Sequence, residues 1–248
     1  MKKLIKNLFP QTIWDYLRYL KILFLRRGYF GQGDMDRKLE KYLDYKDGFF
    51  VELGAYDGYT GSNTFYLENK KNWRGVLIEP SLNHFLSCCY YRKKNNYLYC
   101  NACVSFEYKE KYVDLEYAGA MTVATNVNLD IKDLKEHLNY AKTNLTYLQE
   151  LNKPIKFGAE ARTLNSILDE SNAPKKIDFL SLDVEGAEQS VLKGVNLDKY
   201  EFKYILSECR DVEDLSKFLS QHEYTLIEKF DRTNFLYFLK IKKIGEVF

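Results

Sequence analysis

The sequence predicts an α/β fold in which a mostly parallel, twisted sheet carries helices on both faces and ends in an antiparallel hairpin. Apolar runs of strand length alternate with segments of helical spacing along most of the 248 residues, and this alternation is typical of parallel sheets. Near the C-terminus, two β-rich runs at 225–230 and 234–241 flank Asp231-Arg232-Thr233, which indicates a hairpin.

The elements follow in order along the chain. Buried strands are expected at 49–53, 75–79, 97–104, 177–184 and 203–209, because each is an apolar run that ends at glycine, proline or polar residues. Helices are expected near 62–69, at 163–170, after Gly186 and near 214–219. The polar, Tyr-rich stretch near 105–160 breaks this rhythm and is predicted to be an inserted region that covers the substrate.

The chain divides into a basic N-terminal helical arm, residues 1–34, and a body, residues 35–248. Residues 1–30 carry a net charge of +6, which leaves −4 for the remainder. Apolar positions 13, 17, 20 and 24 have the spacing of an amphipathic helix. This helix is expected to pack on its own domain, with peripheral membrane contact or a partner protein as alternatives.

Composition narrows the class of protein. The five cysteines are odd in number and three fall on predicted strands, so we expect reduced thiols and a cytoplasmic location, with core packing favoured over zinc for Cys100 and Cys103. No secretory signal peptide is evident. The body is net acidic and lacks a base-flipping signature, which argues against nucleic acid as partner.

A glycine-rich turn follows the first buried strand, between Glu52 and Gly61. Gly54 and Gly58 allow a sharp turn and close approach to a ligand. The stretch lacks the GxGxxG spacing, and its acids Glu52 and Asp57 would repel a pyrophosphate. They suit a cationic ligand such as S-adenosylmethionine, whose ammonium would meet Asp57 or Glu52.

Two further strand ends extend this predicted site. Glu79 ends the second strand, where an acid can accept both ribose hydroxyls of a nucleotide. Asn101 and Ala102, on or after the third strand, are placed to bracket the adenine. Asp183 ends the strand at 177–184 within the acidic run Asp183-Val184-Glu185-Gly186-Ala187-Glu188, and this position predicts a cleft.

These residues together resemble the FkbM family of methyltransferases. The resemblance covers about residues 31–210 and rests on FVELGA, DG, SNT, WRG, IEP, LDVEGAE and LKG, which begin at residues 50, 57, 62, 73, 78, 182 and 192. It implies a Rossmann-like class I methyltransferase that transfers a methyl group from S-adenosylmethionine to oxygen, often a sugar hydroxyl in a polysaccharide or natural product. We assign cofactor binding to Glu52, Gly54, Asp57, Gly58, Ser62, Asn63, Glu79, Asn101, Ala102 and Asp183.

A sugar hydroxyl is a weak nucleophile unless a base or a metal lowers its pKa. Asp183 and Glu185 are the predicted catalytic residues, acting as a metal-free base. The alternative is a divalent cation held by Asp183 and Glu208, at the ends of adjacent strands. The three histidines are interpreted as surface or packing residues.

The acceptor is expected to be a small molecule, a sugar or nucleotide-sugar, and homo-oligomerisation is left open. Two other classes of function remain at this point. One is a nucleotide-dependent oxidoreductase of the same fold, which the missing GxGxxG disfavours. The other is a non-catalytic or membrane-associated binding protein that uses the basic arm.

Overall fold

The computed structural model describes residues 29–143 and 155–240, together with positions 13, 17, 20 and 24, which are helical. The strands are β1 (Phe49–Leu53), β2 (Arg74–Ile78), β3 (Tyr97–Tyr99), β4 (Ala102–Val104), β5 (Tyr112–Glu116), β6 (Val123–Ala124), β7 (Lys156–Thr163), β8 (Lys176–Leu182), β9 (Glu201–Glu208), β10 (Tyr224–Lys229) and β11 (Asn234–Leu239). The helices are α1 (Met35–Leu43), α2 (Phe65–Lys71), α3 (Leu82–Tyr91), α4 (Leu134–Thr143), α5 (Leu164–Glu170), α6 (Glu188–Leu192) and α7 (Val212–Ser220). Two 3₁₀ turns lie at Gln32–Asp34 and Gly119–Met121.

Seven strands form the main sheet in the order β3-β2-β1-β8-β9-β11-β10. Neighbouring strands from β3 to β9 run parallel, and β11 is antiparallel to both β9 and β10. The predicted mostly parallel sheet and its C-terminal hairpin are therefore confirmed. Asp231 closes the hairpin, because its Oδ1 accepts hydrogen bonds from the backbone N–H groups of Thr233 and Asn234 at 3.0 and 2.9 Å.

Helices cover both faces of this sheet. Apolar residues of α5, α6 and α7 pack on one face with Val51 and Leu53 of β1. Residues of α1, α2 and α3 pack on the other face with Phe50. All five residues of β1 are buried, which explains why this strand is apolar without alternation apart from Glu52.

Strands β5, β6 and β7 of the region near 105–160 join β4 in a second sheet of four strands, in the order β4-β7-β5-β6. Along the chain, α4 lies between β6 and β7. The predicted single strand at 97–104 is corrected, since it splits into β3 of the main sheet and β4 of the second sheet. The chain leaves the first sheet at Asn101, whose Nδ2 donates to the carbonyl oxygen of Glu160 at 3.2 Å, and β4 then pairs with β7. Part of the region, residues 144–154, lies outside the described residues.

Candidate active site

Four neighbouring strands of the main sheet end at the same edge. Leu53 of β1 is in register with Ile78 of β2 and Leu182 of β8, and Leu182 is in register with Ser207 of β9. The residues that follow or end these strands are Gly54, Glu79, Asp183 and Glu208. Open parallel sheets bind their ligands at this carboxyl edge.

A cleft of about 470 Å³ opens at this edge, which is within the usual size of small-molecule sites. One wall is the glycine turn with the residues before α2. Residues 30–33 join this wall, because Gly31 pairs with Gly61 and the backbone N–H of Gly61 donates to the carbonyl oxygen of Phe30. The second sheet supplies further lining residues. Of the predicted site residues, Glu52, Gly54, Ser62, Asn63, Glu79, Asn101, Ala102, Asp183 and Glu185 line the cleft, whereas Asp57, Gly58 and Glu208 do not.

The glycine turn depends on Gly54 and Gly58. Gly54 has φ +76°, and a Cβ there would lie 1.9 Å from the carbonyl oxygen of Asp183. Gly58 has φ +89°, and its Cβ would lie 2.9 Å from Cα of Cys88 in α3. Left-handed conformation and backbone contact together require glycine at both positions.

Glu52 holds the turn from behind. Its carboxylate accepts hydrogen bonds from Oγ of Ser62 at 2.8 Å, from Oγ1 of Thr64 at 2.6 Å and from the backbone N–H of Asn63 at 3.2 Å. Its side chain is 4% exposed. The sequence predicts that Asp57 or Glu52 meets the methionine ammonium, and the oxygens of Glu52 already accept hydrogen bonds from the chain before α2.

Arg92, at the end of α3, ties this network together, and sequence reasoning missed it. Its guanidinium donates to Glu52, to Glu68 and to the carbonyl oxygen of Gly58, at 3.3, 2.8 and 2.9 Å. The arginine side chain is fully buried. Nothing in the local sequence marks Arg92, because it is one of three consecutive basic residues, 92–94, of which the other two are exposed.

Asp57 shapes the turn from within. Its Oδ1 accepts hydrogen bonds from the backbone N–H groups of Tyr59 and Thr60 at 3.1 and 2.7 Å. It therefore fixes the residues that lead to the cleft-lining pair Ser62 and Asn63. Its direct contact with a cofactor stays a prediction.

Glu79 points its carboxylate at the same turn. Oε2 accepts from the backbone N–H of Tyr56 and Oε1 from that of Ser81, both at 2.9 Å. These two hydrogen bonds fix the carboxylate at the cleft wall. Each carboxylate oxygen has a second lone pair, so Glu79 can still accept hydroxyl donors from a ligand.

Asn63 offers a second polar group to the cleft. Its Nδ2 donates to Oγ of Ser181 at 3.0 Å, and its Oδ1 is shielded from solvent without a hydrogen-bond partner. Such an orphaned acceptor suits a ligand that brings its own N–H or O–H donor.

Acidic side chains crowd the far end of the cleft. Burial raises the pKa of Asp183 well above its usual value, and the negative charges of Glu208 and Glu185 add to this shift. Burial also raises the pKa of Glu208, which hydrogen bonds with Asp183, and the pKa of Glu185 to about 7. The raised pKa values make the ionised forms of these carboxylates stronger proton acceptors, which suits a general base.

Glu185 is held in place by residues distant in sequence. It adopts φ +54°, which is strained for a non-glycine residue. Its Oε2 accepts from Nη2 of Arg210 at 3.1 Å and lies 3.7 Å from Nε2 of His137. Burial lowers the pKa of His137. The interpretation of His137 as a surface or packing residue missed that α4 brings this histidine beside a predicted catalytic carboxylate.

A divalent cation was the alternative use of Asp183 and Glu208. Across residues 29–143 and 155–240, no set of three or more His, Cys, Asp or Glu side chains is arranged to hold a metal ion. The two carboxylates hydrogen bond with each other and lack a third such ligand. The described residues thus do not form a complete metal site.

Comparison with known proteins identifies the family. The model of the methyltransferase FkbM domain matches residues 52–231, which include the glycine turn, Glu79 and Asp183. The chain belongs to the FkbM methyltransferase family. A search of curated protein sequences finds no match.

Solved structures align with this chain at low similarity. Precorrin-6y C5,15-methyltransferase from Geobacter metallireducens GS-15 aligns over 84% of this chain and 88% of its own, with 12% identity and a TM-score of 0.37. A fibrillarin/Nop5p complex aligns over 77% and 71%, with 10% identity and a TM-score of 0.37.

This FkbM methyltransferase therefore uses S-adenosylmethionine, and the oxidoreductase and non-catalytic alternatives no longer apply. The cleft fits the cofactor: Glu79 and Asn63 provide acceptors for hydroxyl and ammonium groups, and the acids beyond them suit a sulfonium. Within the part of the chain that the structure describes, no helix is long and apolar enough to cross a membrane.

Proposed function

We propose that this methyltransferase methylates a hydroxyl oxygen of a sugar or nucleotide-sugar. The observation that carries the proposal is the pair of cleft-lining carboxylates, Asp183 and Glu185, at the strand end next to the glycine turn. Their raised pKa values suit them to receive a hydroxyl proton near neutral pH.

We assign a different part of the cofactor or acceptor to each group of cleft residues. Glu79 binds the ribose hydroxyls, Asn63 accepts from the ammonium group, and Asn101 with Ala102 borders the adenine. When bound, S-adenosylmethionine supplies a methyl group attached to a positively charged sulfur, and this sulfur becomes a neutral thioether once the methyl group is transferred. Asp183 then orients the acceptor hydroxyl and takes its proton as the oxygen attacks in line.

Asp183 is our first candidate for the base, because it immediately follows β8 and is in contact with Gly54 through its backbone. Its hydrogen bond with Glu208 places a second carboxyl group beside it, and the pair can hold one proton between them. Glu185 is the second candidate. Its ion pair with Arg210 stabilises its charged form, which leaves less driving force to take up a proton.

The metal route remains a distinct proposal with its own test. Asp183 and Glu208 would be two of the ligands, and an acceptor oxygen or water would have to supply the rest. Loss of activity after chelation, with recovery on adding a divalent cation, would favour it. Full activity after chelation would leave the carboxylates as metal-free bases.

We propose that β5, β6 and the residues between and just after them, within the region near 105–160, form the acceptor side of the cleft. Seven of its residues line the cleft: Val113, Leu115, Gly119, Ala120, Thr122, Ala124 and Val127. Tyr112, Tyr117 and Asn126 belong to the same region but are not among the lining residues. Strand alternation explains the difference for β5, since Val113 and Leu115 share the face opposite Tyr112.

We further propose that the reaction takes place in the cytoplasm. All five cysteines, Cys88, Cys89, Cys100, Cys103 and Cys209, are free thiols. Free thiols persist where the redox environment is reducing.

Incubation with S-adenosylmethionine carrying a deuterated methyl group, followed by mass spectrometry, tests the proposed acceptor class. A panel of nucleotide-sugars and oligosaccharides is the substrate set, and an amine and a thiol panel is the matched control. Label on a sugar oxygen supports the proposal. Label on nitrogen or sulfur, with none on oxygen across the sugar panel, would contradict it.

A further inference from the structure

Helix α3 presents an outer face with no charged side chain. None of its ten residues is Asp, Glu, Lys or Arg, although these types make up 29% of the chain. Leu82, Leu86 and Tyr90 are spaced four residues apart and are 62%, 58% and 74% exposed. Surface helices normally turn charged residues to solvent, so this apolar stripe is unusual.

The opposite face of α3 already supplies the packing that the helix needs. His84 and Cys88 are buried, with Cys88 against Gly58 of the glycine turn and Nδ1 of His84 3.8 Å from Oε1 of Glu79. The outer stripe contributes nothing to these contacts. Tyr90 makes an edge-on ring contact with Tyr91, at 5.0 Å between centroids, but all three stripe residues stay more than half exposed and suggest an interface.

The stripe lies beside the open edge of the main sheet. Helix α3 contacts β3, which is the last strand on that side. A partner can approach this edge without meeting another strand of the sheet.

We propose that a second copy of this chain binds here, with the two α3 helices packed antiparallel about a twofold axis near Leu86. In that arrangement Leu82 faces Tyr90 of the partner subunit, and the two Leu86 side chains meet. A twofold interface opposes each surface to itself. A charged patch would then repel its own copy, whereas this uncharged stripe is self-complementary.

The same lack of charge distinguishes a protein partner from a lipid surface. Binding to anionic headgroups requires basic residues around the apolar stripe, and α3 has none. The nearest basic residues on the chain that are exposed, Lys93 and Lys94, follow the end of the helix. In the proposed dimer they lie at the rim, where charges are tolerated.

Sedimentation of the full chain tests the proposal. The wild type should sediment as a dimer, at twice the 29.4 kDa chain mass. Leu86→Glu places two carboxylates at the twofold axis, and we expect it to weaken dimerisation by about a hundredfold or more. Leu226→Glu is the matched control, because Leu226 is also exposed but lies on β10, at the opposite edge of the sheet.

The proposal is supported if wild type and Leu226→Glu sediment as dimers while Leu86→Glu sediments as a monomer. A wild-type monomer at about 100 µM overturns it, whether residues 1–28 or a membrane cover the stripe instead. A dimer that survives Leu86→Glu also overturns it. If Leu86→Glu does not fold by circular dichroism, Tyr90→Glu gives the same comparison.

Discussion

Nη1 of Arg92 lies 3.3 Å from Oε2 of Glu52, and both side chains are closed off from solvent behind the glycine turn. Glu68 is the other buried carboxylate of this network. One guanidinium thus serves two acids in the interior, and it also reaches the turn itself through the carbonyl oxygen of Gly58. The cofactor turn and the stability of the fold depend on the same side chain.

Arg92→Met should destabilise the protein strongly. It leaves Glu52 and Glu68 buried without their cation, and breaking a buried ion pair from one side typically costs about 3–5 kcal/mol. Urea denaturation measures the free energy of unfolding. The exposed neighbour Lys94→Met should change it by less than about 0.5 kcal/mol, and equal values for the two variants would refute the role given to Arg92.

Glu188 should make the protein less stable as the pH rises. Burial raises its pKa to about 8, so the folded chain keeps this proton between about pH 4.5 and 8 while the unfolded chain releases it. The free energy of unfolding therefore falls across that window. Between pH 5.5 and 8.5, the free energy of unfolding of Glu188→Gln should fall by less than that of wild type, and the difference should be about 1 kcal/mol or more.

Urea denaturation at both pH values measures this difference. The comparison with wild type isolates Glu188 from Asp183, Glu185 and Glu208, whose pKa values are also raised. The exposed acid Glu213 offers a control, Glu213→Gln, which should follow the wild-type curve. A Glu188→Gln variant that lost as much stability as the wild type would contradict the assignment.

Much of the main sheet could be predicted from the sequence, because its strands are buried on both faces and read as continuous apolar runs. The strand ends that place Gly54, Glu79 and Asp183 at one edge follow from the parallel topology alone. Boundaries of β1 agree with the prediction, and those of β2, β8 and β9 differ by no more than two residues.

The second sheet and the supporting contacts could not be predicted in the same way. β5 and β7 alternate between exposed and buried positions in a polar, Tyr-rich context, and β4 pairs with β7 across more than fifty residues. Arg92 and His137 gain their roles only through such long-range packing. A buried arginine and a buried histidine carry no local signal that separates them from surface residues.

Ala124→Leu should impair acceptor binding and spare the cofactor. Ala124 lines the cleft from β6, so a larger side chain there narrows the wall that we assign to the acceptor. We expect the KM for the acceptor found by mass spectrometry to rise by about tenfold or more, with the Kd for S-adenosylmethionine nearly unchanged. Tyr112→Leu, on the exposed face of β5, is the control. Equal changes in the acceptor KM and the cofactor Kd of Ala124→Leu would contradict the assignment of this wall to the acceptor.

Asp183→Asn should abolish most of the turnover. The amide keeps the shape of the side chain but cannot take the hydroxyl proton, and loss of a general base typically costs about a hundredfold or more in kcat. Steady-state kinetics with the identified acceptor gives kcat for Asp183→Asn and for Glu185→Gln, and the larger loss identifies the base. Normal turnover of Asp183→Asn, with loss only in Glu185→Gln, would move the assignment to Glu185.

We expect S-adenosylmethionine to bind at the carboxyl edge of β1 and β2, with Glu79 on its ribose. Isothermal titration of S-adenosylmethionine into wild type and Glu79→Ala measures this contact, with Glu213→Gln as the control. Losing hydrogen bonds to a charged acceptor costs about 1.5–3 kcal/mol, which predicts a Kd weakened roughly tenfold to a hundredfold in Glu79→Ala alone. A folded Glu79→Ala variant that binds the cofactor as tightly as wild type would contradict this placement of the ribose.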